Sequence, residues 1–443
     1  MSRPVVPAPR PWIYPSPEVR VLPNGLTVWL FDLPGQHVAT FDLLLPLPLS
    51  SEPRALEGVG TIALNSIDEG TVPHPDGRIA ELLEAEGASL HGWAKQHHTR
   101  LGGQAPARRL GPVLELFTEV LREPAYADQD IAHHIETRIA RHDTALASPG
   151  SANRLAFNRR LYGDDARLGR PAGGVPTTLG AICPDDVREW HRRGFGPAHA
   201  TVIVAGDLSR VPTEAFDALG AWQNSQPTLA PPADDLPPHG TGTVLVDRPD
   251  AVQSTILVGL RSVPRTDPRW AAARLGGHAM AGAFASRLNL ELRERLGYTY
   301  GIHGGFGAGP THSLFTVGGS TRSEVTIDAV LRILDRLRLG EPFGAAEIED
   351  AKRFLIGIAP LATETSADIV DQVAELRAAG LDTTFLKQHF AALATVEPDE
   401  ATQVFQELVT PENLVISITG QAERFLPELE AAGLAPEVID PAS

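Results

Sequence analysis

Short runs of alternating apolar and polar residues recur along the chain and predict β-strands. Residues 19–30, VRVLPNGLTVWL, place such a run on each side of Pro-Asn-Gly, which is typical of a β-hairpin. Further strands are predicted at ATFDLLLPL, TVLVD, STILVGL and SLFTVGG. In residues 324–339, by contrast, helical spacing predicts one apolar face formed by Ile327, Val330, Leu331, Leu334 and Leu337. No G-x-G-x-x-G opens a helix after a first strand, so the pattern favours an α+β fold over a dinucleotide-binding one.

Two parts of the chain match each other at a fixed offset, which indicates two homologous domains. The residues Leu179, Pro184, Asp185, Pro197 and Gly206 recur as Leu393, Pro398, Asp399, Pro411 and Gly420. In each copy a helical segment precedes a short run rich in β-branched residues, TVIVAGD at 201–207 or LVISITG at 414–420, that is stopped by a glycine.

A proline-rich stretch without apolar periodicity, QPTLAPPADDLPPHGTG, separates the two copies and is typical of a linker. The first residues are also rich in proline and predict an extended arm. The predicted organisation is an arm at 1–18, an N-terminal domain at 19–225, a linker at 226–242 and a C-terminal domain at 243–443.

Composition and charge restrict the possible partners and location. The chain of 443 residues is 42% hydrophobic and 21% charged, as in ordinary globular proteins. Its formal net charge of −17 disfavours nucleic acid or an anionic membrane as a partner. A single cysteine, Cys183, excludes an internal disulfide and any cysteine-based metal cluster. Neither a transmembrane segment nor a secretory signal is evident, so the expected location is the cytoplasm.

Residues 279–306, AMAGAFASRLNLELRERLGYTYGIHGGF, resemble the C-terminal domain of the pitrilysin/insulinase-type zinc metallopeptidases. The similarity is to their bacterial branch, which is like the mitochondrial processing peptidase. The residues that match the signature of that domain are Ser286, Arg287, Leu288, Leu292, Arg293 and Tyr300. The resemblance extends over nearly the whole chain. It implies two homologous α+β domains, each a largely antiparallel β-sheet flanked by α-helices.

Active members of that family carry an inverted zinc motif, H-x-x-E-H, in the N-terminal domain. The corresponding segment here, EGVGTIALN, has Thr61 and Asn65 at the histidine positions and Leu64 at the position of the catalytic glutamate. The neighbourhood of the family's third ligand reads Arg141-His142-Asp143. Zinc sites need about three His, Cys, Asp or Glu ligands, and hydrolysis needs a general base. We therefore predict that this chain binds no metal and does not hydrolyse peptides alone.

The resemblance also implies that Arg293 and Tyr300 hold the substrate backbone near a zinc-bound water. Gly297 is suited to end the helix that carries Arg293. The alternation of an extended run places Tyr298, Tyr300 and Ile302 on one face. A guanidinium and a phenol both donate hydrogen bonds to a peptide carbonyl as it gains negative charge.

In the bacterial branch the zinc motif and the Arg/Tyr pair are often divided between two chains. The leading hypothesis is therefore a non-catalytic, substrate-binding subunit of a heterodimeric zinc metallopeptidase. It would bind peptide and supply Arg293 and Tyr300 to a homologous partner that holds the zinc. The alternative is a structural or peptide-binding assembly protein without a role in proteolysis. A third and weaker possibility is a metalloenzyme with ligands drawn from His91, His97, His98, His133, His134 and His142.

Overall fold

The computed structural model describes residues 13–224 and 236–440. Residues 1–12 of the predicted arm and 226–235 of the predicted linker lie outside the described residues. The domain boundaries at residues 225 and 243 therefore stay a prediction. Within the described ranges, no helix combines the length and the apolar character needed to cross a membrane.

Two six-stranded sheets form the framework of the protein. The strands of the first sheet are β1 (Glu18–Val21), β2 (Thr27–Asp32), β3 (Val38–Leu45), β4 (Ser89–Ala94), β5 (Thr99–Pro106) and β6 (Thr201–Gly206). The strands of the second sheet are β7 (Gly242–Asp247), β8 (Gln253–Ser262), β9 (His303–Gly307), β10 (Ser313–Arg322), β11 (Val415–Gly420) and β12 (Pro436–Ile439). Their spatial orders are β1-β2-β6-β3-β5-β4 and β12-β7-β11-β8-β10-β9.

Both sheets are mostly antiparallel, as predicted. In the first sheet β2 and β6 run parallel, and the other described pairs are antiparallel. In the second sheet β7 runs parallel to both β11 and β12. Strands β4 and β9 stand at corresponding edges of the two sheets, so each leaves one side of its backbone unpaired within its sheet.

Helices cover the sheets, which confirms the predicted α+β class. In the N-terminal half they are α1 (Val59–Ser66), α2 (Arg78–Ala85), α3 (Leu110–Arg122), α4 (Asp128–Ala147), α5 (Pro149–Tyr162), α6 (Pro176–Leu179) and α7 (Pro184–Gly194). In the C-terminal half they are α8 (Trp270–Gly277), α9 (Arg287–Asn289), α10 (Thr326–Leu337), α11 (Ala345–Gly357), α12 (Ser366–Ala378), α13 (Thr384–Thr395), α14 (Pro398–Leu408) and α15 (Ala422–Ala431). Two π-helical segments, His278–Gly282 and Leu290–Arg295, lie beside α9.

The repeat seen in the sequence corresponds to equivalent elements in the two halves. Pro184 and Pro398 each occupy the first turn of a helix, where the missing N–H of proline costs no hydrogen bond. Helices α7 and α14 then lead to β6 and β11, which are fully buried strands inside their sheets and end at Gly206 and Gly420.

The predicted hairpin is present as β1 and β2, with Val21 opposite Thr27. The Asn24 side chain in its turn donates hydrogen bonds of 2.9 Å to the backbone oxygens of Leu219 and Trp222. The polar turn residue therefore ties the hairpin to the end of the N-terminal half. The other predicted strands correspond to β3, β7, β8 and β10.

The predicted apolar face of α10 is partly wrong. Ile327, Val330 and Leu337 are buried as expected, but Leu331 is 37% exposed and Ile333 is buried in its place. With 3.6 residues per turn, Ile327, Val330, Ile333 and Leu337 form the buried face, and Leu331 is rotated away from it toward solvent. The helix still packs on the second sheet through the residues that remain.

A helix from each half of the chain packs against the sheet of the other half. Helix α12, from the C-terminal half, buries Ile369, Val370 and Val373 against Trp29 and Phe31 of the first sheet. Apolar burial contributes about 25 cal/mol per Å², so these contacts bind the two halves strongly to each other.

The reciprocal contact is made by α5, from the N-terminal half. Its residues Phe157 and Leu161 pack against Leu257 and Val415 of the second sheet. The exchange of α5 and α12 means that each sheet has one outer face completed by the other half of the chain.

Polar contacts add to the docking of α12 on the first sheet. Arg100, which is buried on β5, pairs with the buried Asp42 on β3. Its guanidinium also lies 2.6 Å from the Asp371 carboxylate on α12. Lys95 pairs with Glu375 on the same helix at 2.6 Å. These ion pairs connect residues far apart in sequence and fix the position of α12 along the sheet.

Candidate functional site

A buried carboxylate holds the start of α1, the helix that carries the degenerate zinc-motif positions. Glu52 Oε1 accepts hydrogen bonds from the backbone N–H of Gly58 at 3.2 Å and of Gly60 at 2.9 Å. Arg167 pairs with the other oxygen of Glu52 at 2.9 Å. These bonds satisfy donors at the helix N-terminus that have no intrahelical partner. Glu52 and Arg167 therefore fix the orientation of α1 at its N-terminus.

Gly58 is required where the chain enters α1. Its φ is +106°, a conformation that residues with a side chain rarely adopt. A Cβ atom there would also lie 2.8 Å from Leu179 Cδ2 and 2.9 Å from the carbonyl oxygen of Gly173. The entry of α1 thus packs directly against the loop before α6.

Helical spacing predicts a core face of α1 formed by Val59, Ile62, Ala63 and Ile67, and an opposite face formed by Thr61, Leu64, Asn65 and Asp68. Val59, Ile62, Ala63 and Ile67 all lie in the core of the N-terminal half, as predicted. Leu64 was expected on the opposite face, yet it is only 4% exposed. It packs toward β4, where it comes close to Gly92. An aliphatic side chain therefore fills the space at the position of the catalytic glutamate.

The opposite face of α1 borders a pocket of about 260 Å³ between α1, α4 and the edge of the first sheet. The residues that line it are Leu64, Asn65, Asp68, Leu90, His91, Gly92, Leu101, His134 and Arg141. Leu64, Asn65 and Arg141 thus meet around one cavity, although Arg141 is remote in sequence. Thr61 lies on the same helix, half-buried, and does not line this pocket.

The residues of this pocket that stand at the motif positions and near the third-ligand position do not suit a zinc ion. Leu64 offers no ligand atom, Asn65 offers only an amide, and Arg141 brings a positive charge. Burial raises the pKa of Asp68 to about 6, and Glu69 adds to the increase. His134 has its Nε2 atom 2.8 Å from Glu69 Oε1.

The alternative metal site built on histidines is not assembled in the part of the chain that the structure describes. No three His, Cys, Asp or Glu side chains within the described ranges are placed to hold a metal ion. His91 and His134 reach the same pocket, and His133 stacks edge-on against His134. His97 and His98 lie elsewhere, in a cavity bordered by the end of α12.

We predict that the isolated chain retains no stoichiometric zinc. The physical reason is the absence of both histidine ligands, at Thr61 and Asn65, together with the absence of the glutamate at Leu64. Elemental analysis after dialysis against a metal-free buffer measures this directly. About one tightly held zinc per chain would contradict the prediction.

Arg293 lies on the π-helical segment Leu290–Arg295, at the surface of the C-terminal half. Its guanidinium stacks over the exposed ring of Phe284, with 3.9 Å from Cζ to the ring centre, and lies 3.5 Å from Glu294. Gly297 ends this segment with φ +63°, and its N–H donates to the carbonyl of Arg293 at 3.2 Å. The predicted role of Gly297 is confirmed, and the helix is of the π type.

Tyr300 lies in the loop between that segment and β9 and is 95% exposed. The prediction that Tyr298, Tyr300 and Ile302 share one face is wrong, because β9 begins only at His303. Ile302 is fully buried, and the Tyr298 hydroxyl donates to Asp328 at 2.7 Å. No described hydrogen bond or ring contact joins Arg293 to Tyr300, and both side chains face solvent.

Sequence reasoning missed some features of these surfaces. Phe284, which orients the Arg293 guanidinium, lies within the family-like segment but carries no polar signal. The spacing of Asp68 from Leu64 and Asn65 places it with them on the face of α1 opposite the core face. That Asp68 and Arg141 border one pocket depends on how α4 packs, which no local pattern indicates.

Comparisons with known proteins agree on the type of domain. Residues 181–355 match the family model described as Peptidase M16 inactive domain. An uncharacterized zinc protease of Streptomyces coelicolor is 24% identical over 399 residues, which span 88% of this chain and 86% of the relative.

Solved structures show the same fold. The crystal structure of a peptidase M16 inactive domain from Pseudomonas fluorescens has a TM-score of 0.80 and 23% identity, covering 91% of this chain and 98% of that one. A chain of complex III2 from Candida albicans has a TM-score of 0.74 and 14% identity, covering 92% and 97%. These findings confirm the resemblance inferred from the sequence.

Proposed function

We propose that this chain is the non-catalytic, substrate-binding subunit of a heterodimeric zinc metallopeptidase. The match of residues 181–355 to the model of the peptidase M16 inactive domain supports this proposal. The observation that carries the proposal is an asymmetry between the two halves. Helix α1 lacks the histidines and the glutamate of the zinc motif, while Arg293 and Tyr300 lie at the surface, where their donor groups can reach another molecule.

In this proposal the zinc belongs to the partner subunit and the peptide lies between the two chains. Arg293 supplies up to five N–H donors in a planar fork, and Tyr300 supplies one hydroxyl. Both donors suit the oxygen of a peptide carbonyl as negative charge develops on it. Phe284 holds the guanidinium by a cation–π contact, which lowers the entropy lost when Arg293 engages the peptide. The complex would act in the cytoplasm.

A mixing experiment tests the proposal. The partner to use is a protein of similar length that carries H-x-x-E-H and is encoded beside this gene. Cleavage of a quenched fluorescent peptide is measured for each chain alone and for the mixture, with size-exclusion chromatography to detect the complex. We expect cleavage and a heterodimer only in the mixture. A partner that cleaves at full rate alone, or that forms no complex, would contradict the proposal.

The second candidate is an assembly protein that no longer takes part in proteolysis. The fold it shares with a chain of complex III2 favours this function. This function predicts a stable complex that does not cleave peptide, or one whose cleavage rate does not change when Arg293 or Tyr300 is substituted. The two candidates therefore give opposite results in the same assay.

We predict that the triple variant Thr61→His, Leu64→Glu, Asn65→His does not gain robust peptidase activity. The three substitutions restore one face of α1, but Arg141 still brings a positive charge to the pocket and no carboxylate is supplied as the third ligand. The partners that orient metal ligands are also missing. The assay is zinc-dependent cleavage by the variant chain alone, with its zinc content measured in parallel. Activity that a chelator abolishes would contradict this prediction.

A further inference from the structure

A small cavity lies where the end of α12 meets the first sheet. Leu44 and Thr201 line it from β3 and β6, and His98 lines it from the turn between β4 and β5. Arg377, in the last turn of α12, lines it from the other half of the chain. A ligand in this cavity would therefore contact both halves at once.

His98 is buried at this cavity without a hydrogen-bond partner. Its side chain is 3% exposed, and neither ring nitrogen forms a hydrogen bond with any described residue. Nε2 lies 3.9 Å from Glu375 Oε1, beyond hydrogen-bond distance, and the Lys95 ammonium donates to that same oxygen at 2.6 Å. Burial lowers the pKa of His98 to about 4, so at pH 7 the ring is neutral and offers one N–H donor. A buried polar group in this state is unfavourable unless a ligand or water completes it.

Arg377 brings a permanent positive charge that forms no ion pair within the described ranges. One terminal N–H donates to the backbone oxygen of Leu381 at 3.2 Å, and the guanidinium lies over the ring of Trp29. Its Nε atom is buried and has no hydrogen-bond partner among the described residues. The next carboxylate along the chain, Asp382, is instead hydrogen-bonded to Thr384 at 2.8 Å.

The chemistry of the cavity suits a small anion. None of the described residues that line it is acidic, whereas Arg377 and the N–H of His98 are both donors. Its volume of about 110 Å³ exceeds the ~30 Å³ that one water molecule occupies and accommodates a tetrahedral oxyanion. The net charge of −17 gives the chain no general attraction for anions, so anion binding here requires a specific site.

We propose that this cavity binds one oxyanion of the size of inorganic phosphate. Arg377 would hold it by charge-assisted hydrogen bonds, and His98 and the Thr201 hydroxyl would donate from the first sheet. The bound anion would link α12 to the N-terminal half and strengthen the contact between the two halves. This inference does not rest on the proposed function, since it involves neither a partner subunit nor a peptide.

Isothermal titration calorimetry of the full isolated chain with sodium phosphate tests the proposal, with chloride holding the ionic strength constant. We expect saturable binding with one site per chain. Arg377→Gln and His98→Phe should each weaken binding at least tenfold, since each removes a hydrogen bond to the anion and retains much of the side-chain volume. Arg353→Gln makes the same change at an exposed arginine of α11, outside the cavity, and should leave binding unchanged. Circular dichroism checks that every variant is folded, and His98→Phe decides the result if Arg377→Gln is not.

Urea unfolding tests the proposed link between the halves. A ligand that binds only the folded state stabilises it, so phosphate should raise the urea midpoint of the unmodified chain and of Arg353→Gln. Phosphate should not raise the midpoint of His98→Phe or Arg377→Gln.

The size of the ligand provides a further test. Glycerol 3-phosphate carries the same oxyanion on a larger molecule and should bind more weakly than phosphate. Tighter binding of this ester would overturn the assignment to a free anion. The proposal is also overturned if phosphate gives no saturable binding at millimolar concentration, as for a cavity that holds only water, or if both cavity variants bind it normally. Because these measurements use the isolated chain, their failure would leave the peptidase proposal standing.

Discussion

Substituting Arg293 by alanine is expected to reduce peptide cleavage by the complex with a zinc-bearing partner by about 100- to 1,000-fold. In the proposed complex, the change removes donors directed at the reacting carbonyl. It leaves no core cavity, because the side chain lies at the surface over Phe284. Tyr300→Phe should also reduce turnover strongly, because it removes the hydroxyl proposed to donate to the substrate. The fold should be unaffected, because the side chain is 95% exposed. Steady-state cleavage of a quenched peptide measures both effects.

Two neighbouring residues provide matched controls for this experiment. Arg295→Ala removes a second arginine from the same π-helical segment, where it pairs with Glu291 at 2.6 Å. Tyr298→Phe removes the hydroxyl that donates to Asp328. Both control variants should retain near-normal turnover, and Arg293→Lys should rescue poorly because an ammonium cannot reproduce the guanidinium fork. If Arg293→Ala and Tyr300→Phe keep near-normal turnover in an intact complex, the assembly-protein function replaces the peptidase-subunit proposal.

Substituting Arg100 by alanine is expected to lower the free energy of unfolding by about 3–5 kcal/mol. Arg100 is buried and pairs with both Asp42 and Asp371. Its removal leaves Asp42 buried without a cation, and burial already raises the pKa of Asp42 to about 6. Equilibrium unfolding in urea, followed by circular dichroism, measures the change.

The control for Arg100 is an arginine whose ion pairs are exposed. Arg353→Ala removes contacts to Glu349 and Asp350 on the surface of α11, and such pairs contribute about 1 kcal/mol or less. The double variant Asp42→Asn, Arg100→Ala should recover part of the stability lost in the single variant, because the unpaired buried charge is then absent. A loss below about 1 kcal/mol for Arg100→Ala would show that this link contributes little to the docking of α12.

Local patterns were sufficient to predict several elements of the fold, among them the hairpin of β1 and β2, the strands β3, β7, β8 and β10, and α10. Alternating polar and apolar residues, or runs of β-branched residues, predicted these strands. The core face of α1 was predicted from helical spacing at Val59, Ile62 and Ile67. The hairpin followed from its Pro-Asn-Gly turn. These signals arise from contacts between residues close together in the chain, so a single sequence contains them.

The features that were missed depend on contacts between distant residues. The apolar residues of α12 indicate that one face of the helix is buried. They do not indicate that this face packs against the first sheet. Tyr300 follows an alternating pattern, yet the chain loops outward before β9, so parity with Ile302 has no meaning there. The pocket shared by Asp68 and Arg141 likewise depends on how α4 packs against α1.

The exchange of α5 and α12 has a consequence for how the protein is synthesised. When β6 has left the ribosome, the strands of the first sheet are all available, but α12, which covers Trp29 and Phe31, has yet to be translated. At a translation rate of about 5–20 residues per second, that apolar face stays exposed for roughly 10–30 seconds before α12 has been synthesised. The N-terminal half is thus exposed to aggregation during translation, and a truncated message would release a chain that chaperones must retain or proteases remove.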